Sequence, residues 1–240
     1  MAQLNPHISA DCVIFGFNDQ HLQVLLVERA MVRGEQPTLQ PPHLKLPGGL
    51  VYNDELLIDA SARILRDLTG LTKVRLTQFG VLDSLARMEN EADRLWLEQT
   101  SGMTIDRVIS IAYYGIVDLN EINVIHPTSH WVPLDQTHNL PFDHEEIISR
   151  ALIFIRQSLK RDGLIFELLG EKFTINQLQN LLEIFYEEKS DSRNFRKKIK
   201  KMDFIVALNE KQKNVAHKPA QLFRFDQECF AQFNNTRIIF

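Results

Sequence analysis

The chain of 240 residues carries 27 Lys or Arg against 31 Asp or Glu, a net charge of −4, with 44% hydrophobic and 24% charged residues. These are the proportions of a globular chain with a sizeable core, and the length lies between one large domain and two small ones. Two cysteines, Cys12 and Cys229, stand far apart and form no Cys-x-x-Cys, which argues against a disulfide framework and against a zinc site. The start, MAQLNPHISADCVIF, has no basic segment ahead of an apolar run and does not read as a secretory signal. No apolar stretch approaches the roughly 20 residues needed to span a bilayer, so a cytoplasmic protein without a membrane partner is expected.

In chain order, residues 10–28 bunch β-branched and aromatic residues on either side of Asn18-Asp19, which predicts a β-hairpin. Residues 33–43, RGEQPTLQPPH, hold three of the nine prolines and predict a loop. A helix follows, from about Asp54 to Leu68, with Leu57, Ala60, Ile64 and Leu68 as its apolar stripe and Gly70 as its end. Strand-like runs come next at 73–84, 107–119 and 130–135. A helix over 143–160, with Pro141 ahead of it and Asp143 as its cap, closes the unit. This β-loop-α-β order suits an α/β/α sandwich over residues 1–160.

From residue 161 the pattern changes. Thr174 precedes a helix-period segment, Asp191 caps a second helix through SRNFRKKIKKM, and strands at 204–208 and 220–225 flank a polar loop at 209–219. Two helices joined by a short turn and followed by a hairpin are the parts of a winged helix-turn-helix, assigned to residues 161–240. Residues 226–240 mix aromatic and polar residues without a readable pattern.

The segment 46–71, LPGGLVYNDELLIDASARILRDLTGL, is the most specific in the chain. Gly49, Glu55, Arg63, Leu65, Gly70 and Leu71 fall in the register of a Nudix box, which the segment resembles. The resemblance implies three metal-binding glutamates on one helix face; here those positions are Ile64, Asp67 and Leu68. One Asp between two aliphatics is a poor cage for a cation that wants several hard oxygens. A pocket for a nucleoside diphosphate without its hydrolytic chemistry is therefore expected.

The charge is unevenly spread. Residues 189–218 hold ten Lys or Arg and three Asp or Glu, a net of +7, so with −4 overall the remainder carries −11. A basic segment on an acidic body points to a polyanionic partner, duplex DNA for a helix-turn-helix. Phe195 and Ile199 are four residues apart and predict the core face, leaving Arg193, Arg196, Lys197, Lys200 and Lys201 on the outside. Arg193, Asn194 and Arg196, near the start of the second helix, are candidate base readers. Lys197, Lys198, Lys201, Lys211, Lys213 and Lys218 suit phosphates. The competing reading is the ordinary solvated face of a surface helix.

The whole chain resembles the Nudix-related transcriptional regulators of NAD metabolism. Beyond the box, the resemblance is carried by RVISIAYYGIV at 107–117, SHWVPL at 129–134, LPFDHEEII at 140–148, FTINQLQNLLEIFY at 173–186, DSRNFRKKI at 191–199 and HKPAQLFRF at 217–225. It implies a homodimeric repressor of NAD biosynthesis or salvage genes, bound to a palindromic operator, with ADP-ribose as effector and no resident cofactor. For a diphosphate, the candidate ligands are Arg29, Lys45, Gly48, Gly49 and Arg107. Arg63 either joins them or orients Glu55 internally, and Tyr113 and Trp131 either stack on adenine or pack in the core. His144 beside Asp143 reads as a helix start before a catalytic pair. Two alternatives stay open: an active hydrolase using Glu55, Asp67 and acids such as Glu98 or Glu145, and a nucleic-acid module on an inert scaffold.

Overall fold

The computed structural model describes residues 3–18, 21–30, 43–119, 122, 126–162, 164–213 and 218–233. Most of the expected proline-rich loop, Asp19, the middle of the 209–219 loop and the last seven residues lie outside these. The chain divides into two compact units. One comprises residues 1–15, 23–116 and 122–151; the other comprises 16–22, 117–121 and 152–240.

The first unit is built on a seven-stranded sheet. Strand β1 (Leu4–Phe17) turns back into β2 (Leu22–Glu28), and the Asn18 N–H donates to the His21 carbonyl across the turn, as the hairpin reading expects. β3 (Leu44–Lys45), β4 (Gly48–Tyr52), β5 (Thr77–Leu82), β6 (Ile109–Asp118) and β7 (Ser129–Pro133) complete it in the order β3-β2-β1-β6-β5, with β4 on β1 and β7 on β2. The run Ala10–Phe15 is buried throughout, Asp11 included, so β1 is a central strand walled on both faces.

Helix α1 spans Leu57–Thr69, three residues later than the sequence suggests. The reason is Glu55. Its carboxylate accepts from the Tyr52 N–H at 2.7 Å and from Arg63 at 2.6 Å, which holds residues 53–56 in a turn. The other end is as expected: Gly70 adopts φ 78°, and its N–H donates to the Arg66 carbonyl. The 73–84 run shortens to β5, with a bulge between Gln78 and Gly80.

Sequence periodicity misses a short turn at Leu85–Met88 and helix α2, Glu91–Ser101. Leu95, Trp96 and Leu97 are consecutive rather than spaced by three or four, so no amphipathic stripe shows. The Asn90 cap and Gly102 at φ 70° are the marks that could have found it. Leu97 packs against a small apolar cluster of Leu50, Met88, Ile105 and Val108. Helix α3 spans His144–Asp162. Asp143 does not cap it with its side chain, because that carboxylate is taken by Arg87.

The second unit holds α4 (Ile165–Leu169), α5 (Ile175–Tyr186), α6 (Ser192–Ile199), β8 (Ile205–Lys211), β9 (Gln221–Phe225) and α7 (Gln227–Phe233). Thr174 and Gln177 form a reciprocal capping box on α5, and Asp191 caps α6 by accepting from the Asn194 N–H at 2.8 Å. β8 and β9 pair antiparallel, and Phe173 bridges Phe223 to extend the hairpin toward α5. The core is aromatic: Phe166 stacks on Phe225 at 4.0 Å between ring centroids, while Phe204 and Phe230 meet Phe225 edge-on. Phe230 places part of the unreadable tail as α7, which closes this core. Among the described residues no helix is long and apolar enough to cross a membrane.

Candidate ligand cleft and candidate nucleic-acid interface

Asp11 lies opposite Gly48 in the β1–β4 pairing, and this register explains the glycine. A Cβ on residue 48 would fall 1.8 Å from Asp11 Oδ1. The 2% exposed Asp11 is held on every side. The Ser110 hydroxyl donates to its Oδ2, Arg87 donates to the same oxygen at 2.6 Å, and His144 Nε2 lies 3.7 Å from Oδ1. Burial alone would raise the Asp11 pKa; Arg87, His144 and the Ser110 hydrogen bond override it and bring it to about 2.

Arg87 also donates to Asp143 Oδ1, so one guanidinium bridges two carboxylates. The second oxygen of Asp143 is buried without a partner among the described residues, and burial pushes this carboxyl above its usual range against the pull of Arg87. His144 Nδ1 accepts from the Leu46 N–H at 3.2 Å, which places the ring proton on Nε2 toward Asp11. Burial drives the His144 pKa down to about 3, so the ring is neutral at physiological pH.

Lys45 Nζ donates to the Leu46 and Gly48 carbonyls at 3.1 and 2.8 Å, and burial lowers its pKa to about 8. The cavity beside these groups is only about 30 Å³ and is bounded by Trp96, Phe142 and the Gly48–Gly49 backbone. That is room for about one water molecule.

Of the five sequence-derived ligand candidates, Lys45, Gly48 and Gly49 meet at this cavity. Arg29 lies beside them, 4.7 Å over the Trp96 ring, and is paired with Asp93 at 2.7 Å. Arg107 does not join them. It is exposed, donates at 3.5 Å to the Asp83 carbonyl, and its own carbonyl contacts His7. Sequence reading missed Asp11, Arg87 and Trp96 and took Asp143 as a helix cap; the one visible signal was an Asp inside an otherwise core-forming strand run.

The box positions do not fit a divalent cation. Ile64 is buried and packs against Gly49, and Asp67 is exposed and paired with Arg66. Leu68 offers no donor. Glu55 is engaged by Arg63, which lowers its pKa, and so takes the internal pairing that was one of Arg63's two readings. Glu98 and Glu145 are occupied with the backbone N–H groups of Ile105 and Leu140. Among the described residues no three His, Cys, Asp or Glu side chains gather to hold a metal. Tyr113 is buried and Trp131 half-buried in the sheet.

In the second unit the turn between α5 and α6 is braced. Glu183 accepts from Gln179, from the Ser190 N–H and from the Ser190 hydroxyl; these bonds outweigh burial and bring its pKa to about 2. On α6, Phe195 and Ile199 are buried, while Arg193, Asn194, Arg196, Lys197 and Lys198 are exposed, as are Lys200 and Lys201 just beyond. Lys211, Lys213 and Lys218 are exposed on the hairpin. Among the described residues none of these lysines, nor Arg193, forms an ion pair. Arg196 alone is tied down, donating to Asn176 Oδ1 at 3.0 Å.

The family model described as NUDIX domain matches residues 5–151, well over half of the chain. The chain belongs to the Nudix family. To the Nudix domain it adds a second matched module, the NrtR DNA-binding winged helix domain, over residues 165–225. A relative from Acinetobacter baylyi, described as an ADPR responsive transcriptional repressor NtrR, is 25% identical over 98% of this chain and 88% of its own length. The fold agrees over both units with solved structures. NrtR of Shewanella oneidensis, crystallised with a 27mer DNA, matches at TM-score 0.65 and 21% identity over 97% of each chain. A MutT/nudix family protein of Enterococcus faecalis matches at TM-score 0.62 and 19% identity, over 92% of this chain and 86% of that one. The Nudix-plus-winged-helix architecture expected from the sequence is the one observed.

Proposed function

We propose that this Nudix-family protein is a DNA-binding transcriptional repressor whose first unit senses ADP-ribose without hydrolysing it. The observation that carries the reading is the unpaired cationic face of α6, presented beyond a turn braced by Glu183, Gln179 and Ser190 and beside a lysine-bearing hairpin. Cations held in no ion pair remain available to phosphate, and a rigid turn fixes the helix that would enter the major groove. The relative named as an ADPR responsive repressor supports the effector and the sign of regulation. The regulated genes are proposed to be those of NAD biosynthesis or salvage, and the acting form a cytoplasmic homodimer on an inverted repeat.

Loss of hydrolysis is proposed from the box. Metal-assisted attack needs the cation held against the diphosphate and a base for the water. Ile64 and Leu68 supply neither, and Glu55 is held by Arg63. Incubation with ADP-ribose and Mg²⁺ or Mn²⁺ should release no AMP at an enzymatic rate; turnover on the order of 1 per second would favour the hydrolase.

The whole reading is tested by selecting bound duplexes from a random pool and titrating ADP-ribose onto free and duplex-saturated protein by calorimetry. Linkage requires that the effector and the duplex weaken each other by one common factor, typically about 5- to 150-fold. Equal ADP-ribose affinity in both states would leave the first unit as a scaffold.

A further inference from the structure

A groove of about 430 Å³ opens between α6 and the base of the β8–β9 hairpin. Its rim carries Asn176 of α5, Arg196 of α6, Lys200 just beyond α6, and Lys218 ahead of β9, and its floor includes Ile199 and Phe223. Among the described residues no acidic side chain lines it, so three cations face one cavity without a counter-charge. A helix in the major groove and a hairpin loop over the adjoining minor groove are separated by one sugar–phosphate strand of the duplex. That strand has to pass between the two elements. With α6 in the major groove, the groove would lie in its path, with cations placed for phosphate and an apolar floor suited to the faces of deoxyribose.

We propose that this groove seats the phosphodiester strand between the two grooves of the duplex, and that Arg196 acts there on the backbone rather than on a base edge. The 3.0 Å bond from Arg196 to Asn176 holds the guanidinium against the α5 side of the groove. Asn176 is then a positioning residue that acts through Arg196. Lys200 and Asn176, absent from the DNA-binding set drawn from the sequence, join it. This inference rests on the DNA-binding reading above.

The test is fluorescence anisotropy of the full chain on a labelled random duplex and on a selected duplex, across a salt series. Lys200→Gln and Lys218→Gln should each flatten the slope of log K against log salt by about 0.9 on both duplexes. Arg196→Ala should weaken both duplexes alike, keeping the ratio of the two affinities within about twofold. Asn176→Ala should weaken binding in the parent and have no further effect in the Arg196→Ala background, a coupling that general damage to α5 would not produce. A tenfold fall in the affinity ratio for Arg196→Ala would assign it to a base and overturn the proposal. So would slopes for both lysine variants equal to the parent's while the parent binds DNA. If the parent binds neither duplex, the DNA-binding reading fails and takes this inference with it.

Discussion

The two units use charge in opposite ways. In the first, Arg87, Asp11 and the neutral His144 are buried together beside the half-buried Asp143, with Lys45 on carbonyls and Arg29 on Asp93. In the second, Arg193, Lys197, Lys198, Lys200 and Lys201 stand in solvent, and the core beneath is of phenylalanine, leucine and isoleucine. Buried charges without water must find partners inside the protein, so the first unit's ions act on structure. Exposed charges contribute little to stability and remain available to an outside partner. The difference separates residues that should change folding from residues that should change binding.

The sharpest way to break this comparison is Arg87→Met. It leaves Asp11 and Asp143 buried without their shared cation, and removal of one partner of a buried pair costs about 3–5 kcal/mol. Both tryptophans, Trp96 and Trp131, lie in the first unit, so tryptophan fluorescence in urea follows that unit. A loss under about 1 kcal/mol would mean that the network is not a structural necessity.

A smaller effect follows from pH. His144 is neutral in the folded unit, with a pKa of about 3, whereas the unfolded chain protonates it below about 6.5. Between these values the unfolded state binds more protons, so stability falls as pH falls through the window. From pH 7 to pH 5 the loss from His144 is about 2 kcal/mol, and His144→Asn should remove that dependence. Asp11 adds its own loss only below about 3.8, outside that interval.

Asp191→Ala removes the cap on α6 and should cost about 1 kcal/mol. The change belongs to the second unit, read by far-ultraviolet circular dichroism with the tryptophan transition unmoved. Smallest of all in stability should be Lys197→Gln with Lys198→Gln, within about 0.5 kcal/mol of the parent. The same pair should flatten the salt dependence of duplex binding by about 0.9 for each phosphate that is no longer neutralised. A pair of substitutions that unfolded the second unit instead would erase the distinction drawn between the units.

Local chemistry made much of the chain legible in advance. Gly70 ends α1 because only a residue without a Cβ enters φ 78° freely, and Thr174 and Asp191 start α5 and α6 by satisfying N–H groups that any helix leaves open. The spacing of Phe195 and Ile199 set which face of α6 is buried. The box spacing and the reversal of charge near residue 189 marked two modules with different roles. These signals depend on neighbours within a few residues, so the sequence alone carries them.

What the sequence did not contain was who meets whom over long distances. Asp11, Arg87, Ser110 and His144 come from four segments and become one network only when β1, β6, the turn before α2 and the start of α3 pack together. Arg107 looked equivalent to Arg29 in the sequence, yet in the fold Arg107 is exposed and Arg29 lies over Trp96. Asn176 and Arg196 are twenty residues apart and meet because the braced turn folds α6 back on α5. Burial converts such meetings into fixed pairings, since a charge or amide removed from water must accept whichever partner the packing supplies.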